Sequence, residues 1–431
     1  MTTTCPPPAD TAPATPATPG GLLRRHRDFR LLWTGETANK FGSAVTGLAL
    51  PLIAVTQLQA SGLQVGLLGA AGWLPWLLIG LPVGVWVDRL PSRPIMLASS
   101  ATSLLLFATV PLAAHLGVLT LAHLLLVALA TGVAGVFFQT AYTAYLPRLL
   151  APADQAEGNA KLHGSASAAG IAGLGAGGLI AQLTGPVSSL LANSVTFVLS
   201  LWCTRRIRHR EPARAEAPRR ELRREIGEGL RLLARDVWFR TFVLFGATSN
   251  VMLTGYQSLL VLFLVRELGL AEGTVGLLVA LASTGGIVGA AIARPVAARL
   301  GTARGMLVLE LALPALALLI PLTAPGPRLA LLVLGGFGVS AGIVAGNVIK
   351  STFQQAYCPT ALLGRLSASS SVLNFGAIPV GALLGGLLGD QLGLRPALWL
   401  MTAGIPLAAL ILLASPLRTR RDLPTEPAAG I

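Results

Sequence analysis

Ionisable side chains inside long apolar runs are costly and mark candidate functional positions. Four stand out in this chain: Glu36, Lys40, Glu310 and Lys350. Glu36 and Lys40 are four residues apart on one helical face, with the acid N-terminal to the base, the favourable order. At about 1.5 Å per residue, Lys40 lies roughly 14 Å along a helix that starts near residue 31. A carboxylate so placed can take up and return a proton, with the lysine as its counter-ion. The pair reads as a proton-coupling site. The alternative is an ion pair snorkelled toward the helix end.

A second group of charges closes an apolar run. Val65 to Val87 carries no charge and has about the length of one membrane-spanning helix. It stops at Asp88-Arg89, and Arg93 follows, giving Gly84-x-x-x-Asp88-Arg89-x-x-x-Arg93. This reads as a tight charged hinge between two spans. Gly84 removes a side chain where a neighbouring helix can approach closely.

The elements that must hold these groups follow from composition. Of 431 residues, 53% are hydrophobic and 12% charged, with a mean hydropathy of +0.69. Soluble domains carry about twice that charged fraction, so the chain is an integral membrane protein. The net charge of +14 comes from arginines gathered in loops and tails. That is the positive-inside pattern beside anionic lipid rather than a nucleic-acid footprint. Cys5, Cys203 and Cys358 imply neither a disulfide framework nor a metal site. Residues 1–20 are Pro- and Thr-rich and lack the apolar core of a signal peptide.

Twelve spans are expected in an all-α fold, near 31–56, 65–87, 94–114, 118–146, 162–183, 187–204, 240–264, 273–297, 303–322, 328–354, 364–389 and 395–416. Helix 4 is expected to end before Pro147. The organisation is a disordered tail (1–20), an N-terminal six-helix bundle (21–204), a linker (205–239), a C-terminal bundle (240–416) and a tail (417–431). Both termini, the linker and the arginine-rich loops are expected on the cytoplasmic side of a cell membrane. Loops on the other side are nearly bare, apart from Arg266, Glu267, Glu272, Arg328, Asp390 and Arg395. In the linker, Leu222, Ile226, Leu230 and Leu233 recur at helical spacing and suggest an amphipathic helix. A weak internal repeat joins the halves: Val65-Gly66-Leu67-Leu68 returns as Val275-Gly276-Leu277-Leu278, the mark of two similar bundles.

The hinge motif, the spans and the repeat together resemble the major facilitator superfamily over about residues 22–416. Phe29-Arg30-Leu31-Leu32-Trp33, Ala144-Tyr145-Leu146-Pro147, Leu362-Leu363-Gly364-Arg365 and Pro379-x-Gly381-x-x-x-Gly385-Gly386 resemble its macrolide-efflux and enterobactin-exporter branch. The resemblance implies two pseudo-symmetric six-helix bundles, alternating access, and proton-coupled export of amphipathic natural products such as antibiotics or siderophores. An importer or facilitator on the same fold is the alternative. Two positions depart from relatives. Gly173-Leu174-Gly175-Ala176-Gly177-Gly178 keeps the packing glycines of helix 5 but lacks the antiporter proline, and the acid many relatives carry in helix 1 is replaced near Ser43.

In the family, helices 1, 4, 7 and 10 line the cavity and helix 9 is peripheral. On those four lie Gln139, Thr140 and Tyr142; Asn250, Tyr256 and Gln257; and Asn347, Lys350, Gln354 and Gln355. With Trp33, Phe137 and Phe138 they are expected to make an apolar site with a few hydrogen-bonding groups, suited to a bulky amphipathic ligand. Glu310, on helix 9, is expected to be a buried structural partner. Asp88 is expected to dock on the N-terminus of helix 11, beside Arg365, and close an inner gate, because helix N-termini attract anions. HExxH, GxSxG and Walker motifs are absent, so no enzyme or built-in ATPase is read. No cofactor or metal is expected. The expected partners are a small-molecule substrate, a proton and lipid, with the chain a monomer.

Overall fold

The computed structural model describes residues 21–209, 227, 231, 233–358 and 360–425. Among them there is no strand, and twelve helices are long and apolar enough to cross a membrane. The first six are α1 (Arg27–Thr56), α2 (Gly62–Arg89), α3 (Ser92–His115), α4 (Leu121–Leu149), α5 (Pro152–Thr184) and α6 (Pro186–Arg206). Next come α7 (Val237–Leu262), which continues as a π turn over Phe263–Glu267, and α8 (Glu272–Leu300), which is interrupted at Thr284. The last four are α9 (Thr302–Ala312), α10 (Leu329–Tyr357), α11 (Thr360–Leu392) and α12 (Leu394–Ala408).

Several boundaries differ from the sequence expectation. Helix α4 runs through Pro147 to Leu149, and Leu150 N–H still donates to Leu146 O at 3.2 Å. A proline this near a helix end sacrifices little of the ladder. Helix α5 begins at Pro152, ten residues before 162, with proline preset at its first turn. Its polar first turns are held by Glu157, which accepts from Leu22 N–H at 2.9 Å and pairs with Lys161 at 3.5 Å. Helix α2 begins at Gly62 because Ser61 and Gln64 form a capping box. Helix α9 loses α geometry after Ala312, at Pro314, and goes on as 3₁₀ turns over Pro314–Leu322. Leu222, Ile226 and Leu230 of the expected linker helix lie outside the described residues, as does the 1–20 tail. Leu233 is buried among Trp238, Phe239 and Phe242.

Twelve antiparallel spans put the chain's entry to α1 and its exit from α12 on one face, here the terminal face; the other is the far face. The buried apolar residues fall into three groups. One contains the far-face halves of both bundles, from Leu48–Val55 of α1 and Leu124–Ala128 of α4 to Tyr256–Leu264 and Leu332. The other two lie at the terminal face and stay separate. Phe29, Val83, Met96 and Tyr145 belong to the N-terminal bundle, and Phe239, Met306, Phe353 and Tyr357 to the C-terminal one. The bundles therefore share a core at the far face and part toward the terminal face.

Two helix seams make the shared end, α2 against α11 and α5 against α8. Both rest on glycine. A Cβ on Gly178 would sit 2.6 Å from Gly276 Cα and 2.7 Å from Glu272 O. A Cβ on Gly386 would overlap Gly62 O, and one on Gly66 would overlap Ala382 O. Gly66 and Gly276 are the glycines of the two Val-Gly-Leu-Leu copies. The repeat in the sequence is thus the contact surface of both seams, where backbones touch directly. Asp390 at the end of α11 caps the start of α2, accepting from Gly62 N–H at 2.6 Å and Leu63 N–H at 2.9 Å. In the other seam Gln182 occupies the matching place, its amide oxygen against Gly273 at the start of α8.

Gly178→Ala and Gly386→Ala should each cost the far-face closure about 1–3 kcal/mol through backbone overpacking. A membrane-impermeant maleimide should then reach a cysteine introduced at the buried Leu259 faster, in a background without native cysteines. Gly84→Ala, with open space around it, should leave that rate unchanged.

Candidate transport site

Glu36 and Lys40 meet across one turn of α1, with Lys40 Nζ 3.2 Å from Glu36 Oε1. Only 4% of Glu36 is exposed, against 37% of the Lys40 side chain. Both carboxylate oxygens are buried with no hydrogen-bond partner. The ammonium instead donates to Gln139 Oε1 of α4 at 3.3 Å. Tyr142, one turn on, lies within Coulombic reach of Glu36 and stacks on Phe138, ring centroids 6.3 Å apart. The acid is thus sealed among α1 and α4, with the lysine as the link to open space.

That space is a cavity of about 480 Å³ inside the N-terminal bundle. Asn39, Lys40, Gln139, Trp73, Trp76 and Phe138 line it. The C-terminal bundle has its own, of about 320 Å³, lined by Asn250, Glu310, Asn347, Lys350, Gln354 and Asn374. Between them, Trp73 and Trp76 of α2 meet Phe375 of α11 at 5.8 and 5.5 Å. A third cavity, of about 950 Å³ and mostly apolar, opens among α1, α5, α7, α8 and α10 and holds Tyr256 and Gln257.

The single site expected from sequence is therefore three spaces. Gln139 lies in the first, with Tyr142 buried behind it. Asn250, Asn347, Lys350 and Gln354 share the second, and Tyr256 and Gln257 face the third. Three other residues turn elsewhere. Trp33 Nε1 donates to Lys161 O of α5 at 3.4 Å, Phe137 stacks on Trp86 at 6.2 Å, and Thr140 returns its hydroxyl to Val136 O. Glu310 is buried, as expected, but it lines the cavity rather than a peripheral surface. Its carboxylate lies on the bare backbone of Gly346, where a Cβ would overlap it.

The hinge residues divide. Gly84 has no heavy atom within 4 Å of a Cβ built on it, so the expected close helix approach is not made in this conformation. Arg89 is exposed. Arg93 serves its own bundle, donating to Thr204 O at 3.2 Å and Arg205 O at 2.7 Å at the end of α6. The side chains of Asp88 and Arg365 lie outside the described residues. In helix 5, Gly173 and Gly177 lie against Phe41, Ala44 and Val45 of α1, and Gly178 against α8.

Sequence reasoning passed over Asp390, Gln182 and the Trp73–Trp76–Phe375 cluster. The signal for Asp390 was its place among the few charges in otherwise bare loops. Arg266 is another of these, and it reaches Val55 O across the bundles at 3.4 Å. Asp236 was also missed. It caps α7 through Trp238 and Phe239 N–H, both at 2.9 Å, and accepts from the Tyr357 hydroxyl at 2.8 Å. Among the described residues no cluster of His, Cys, Asp or Glu could hold a metal ion.

Two bundles of six helices, seamed at one face and hollow at their centres, define a membrane transporter of the major facilitator fold. Within that class, residues 21–429 match the family described as transmembrane secretion effector, and the chain belongs to it. The multidrug efflux pump Tap of Mycolicibacterium fortuitum is 26% identical over 414 residues, covering 92% of this chain and 97% of the pump. Among solved structures, the nucleoside transporter NupG superposes with a TM-score of 0.74 at 12% identity, over 90% of this chain and 98% of NupG. A bacterial homologue of the iron transporter ferroportin gives 0.72 in its inward-facing state, at 17% identity over 93% of this chain and all of that one. Its outward-facing state gives 0.57, at 18% identity over 91% of this chain and all of that one. The chain is an efflux transporter and not an enzyme.

Removing the Lys40 charge leaves a buried carboxylate without its counter-ion. Lys40→Gln should lower the thermal midpoint in detergent, and Glu36→Gln added to it should restore much of the loss. The cycle should give a coupling energy of about 1 kcal/mol, at the lower end because Lys40 is partly exposed.

Proposed function

We propose that this chain is a proton-coupled antiporter that exports amphipathic small molecules, and that it stands here in its inward-facing state. The terminal face carries most of the arginines, which supports a cytoplasmic placement by the positive-inside rule. The bundles part on that side and are seamed on the other. The better superposition on the inward-facing ferroportin homologue supports the same state. The multidrug efflux pump among the relatives supports an amphipathic cargo.

The observation that carries the coupling is the sealed Glu36 carboxylate with both oxygens lacking a hydrogen-bond partner. Such a group is stable only when neutral or well paired, so its proton and its ammonium partner are alternatives. Lys40, anchored by Gln139 at the mouth of the cavity, reports cargo to the acid: a ligand that draws the ammonium away favours proton uptake. In proteoliposomes, Glu36→Gln should abolish proton-driven export while keeping substrate counterflow. Export that still follows the proton gradient would sink the assignment.

The gates of this reading are reciprocal. Asp390 at the end of α11 caps α2 on the far side, and Asp88 at the end of α2 caps α11, near Arg365, when the terminal side closes. An N-cap interaction contributes about 1 kcal/mol, a shift of about fivefold in the balance of states. Asp390→Ala should move far-face spin-label distances toward opening, and Asp88→Asn should move the balance the other way and lower transport. Shifts of the same sign from both would refute the reciprocity.

A further inference from the structure

The cavity inside the N-terminal bundle has a wall that the proton-coupling reading leaves unused. Ser99, Ser100 and Ser103 of α3 line it and are only 7%, 2% and 6% exposed. No protein group among the described residues holds any of the three hydroxyls. Helix α3 also lies outside the four helices expected to line a binding space. Beside the serines, Asn193 of α6 fixes Thr46 of α1. The Asn193 amide nitrogen donates to the Thr46 oxygen, and its own oxygen accepts from Thr196 at 3.1 Å. The Thr46 hydroxyl hydrogen is thereby left for the cavity. Thr131 of α4 has the opposite polarity. It donates to Val127 O at 2.7 Å, which leaves its lone pairs for the same space.

Charge narrows what this wall can hold. Lys40 is the one ionisable side chain in the lining, and its ammonium already stands 3.2 Å from Glu36 and 3.3 Å from Gln139. A cation finds no carboxylate in the lining. An anion would add a buried charge to a lysine that Glu36 already balances. Hydroxyls that both give and accept hydrogen bonds suit ligand groups that do the same, and unpaired buried hydroxyls reward a ligand that pairs them. The other walls are aromatic, with Trp73, Trp76 and Phe138, and with Phe107 stacked on Phe197 at 5.8 Å. Such rings pack on the C–H face of a sugar ring or polyol while its hydroxyls point past their edges. The volume of about 480 Å³ falls within the range of about 300–1,000 Å³ common for small-molecule sites.

We propose that this pouch is a subsite for a neutral, hydroxyl-rich head group, such as a glycosyl ring, carried on an apolar body. The α3 serines and Thr46 bind the hydroxyls of the head group, and Trp73 and Trp76 cover its C–H face. The same two rings meet Phe375 of the C-terminal bundle at 5.8 and 5.5 Å, so the apolar body extends over them toward the cleft. The inference rests on the export reading above and gives it a substrate class, neutral hydroxylated amphiphiles, with α3 as the helix that selects them.

The test is calorimetric titration of the purified full chain in lipid nanodiscs, with empty nanodiscs as the baseline. The probes are 4-nitrophenyl β-D-glucopyranoside and 4-nitroanisole, which has the same aromatic ring without the sugar. Wild type should bind the glucoside about tenfold or more tighter than the anisole, as a few paired hydroxyls allow. Ser99→Ala combined with Ser103→Ala should cut that preference to about threefold or less. Its affinity for 4-nitroanisole should not change, which also shows that the variant is folded. Ser100→Ala alone, the milder variant, should weaken glucoside binding about threefold and spare the anisole. 4-Nitrophenyl β-D-glucuronide, which adds a carboxylate, should bind more weakly than the glucoside. Equal wild-type affinity for glucoside and anisole, an undiminished preference in the serine variants, or tighter binding of the glucuronide would overturn the subsite. If cells export an amphiphile without hydroxyls while the purified chain shows no preference for the glucoside, this inference falls and the export reading stands. If cells export nothing, the export reading falls on its own.

Discussion

Direct contact between backbones in the two glycine seams is the constraint on which the rest of this molecule depends. In hydrocarbon there is little hydrophobic force to press one helix on another, so association relies on close packing and polar contacts. Gly178 against Gly276, and Gly386 against Gly62, bring helices of different bundles to a distance that no larger residue allows. These contacts hold one end of the molecule shut. They join helices of different bundles, and two bundles joined by such a seam can part there without unfolding. A shared apolar core on one side and two separate cores on the other follow from that arrangement.

Polar groups are placed where the seams need them. Asp390 caps α2 from the opposite bundle, and Gln182 sits at the corresponding start of α8. The first is a charge-assisted pair of hydrogen bonds, and the second presents a neutral amide. The seams are therefore similar in shape and differ in the chemistry of the cap. The pseudo-symmetry of the fold is broken in the same way inside the bundles. One acid is sealed behind a lysine, Glu36 behind Lys40. The other, Glu310, lies open to its cavity on the backbone of Gly346.

The aromatic cluster of Trp73, Trp76 and Phe375 stands where the α2–α11 seam gives way to the cleft. Its two tryptophans face the N-terminal cavity, and Phe375 faces the C-terminal one. An amphipathic cargo spanning both halves would lie across these rings. Apolar surface is thus concentrated between two spaces that each hold a charge, a distribution that suits ligands with an apolar body and a polar end.

Much of this was legible in the chain alone because lipid imposes severe rules. Charge-free runs of about 20 residues, arginines concentrated on one side and a repeated Val-Gly-Leu-Leu are enough for twelve helices in two related halves. The i, i+4 spacing of Glu36 and Lys40 sufficed for an ion pair, since both lie on one helix. Helix ends were less legible. Caps such as Ser61–Gln64 and a starting proline such as Pro152 extend helices beyond the apolar run, and hydropathy does not register them. The tertiary structure decided everything that joins distant segments. It divided the polar residues of helices 4, 7 and 10 among three spaces, because each helix turns different faces to its own bundle and to the other. It placed Glu310 and Lys350 on one cavity, and Asp390 at the start of α2, across separations on which sequence spacing has no hold. It also decided which end is closed, since the same helices and glycines serve either state and only their packing selects one.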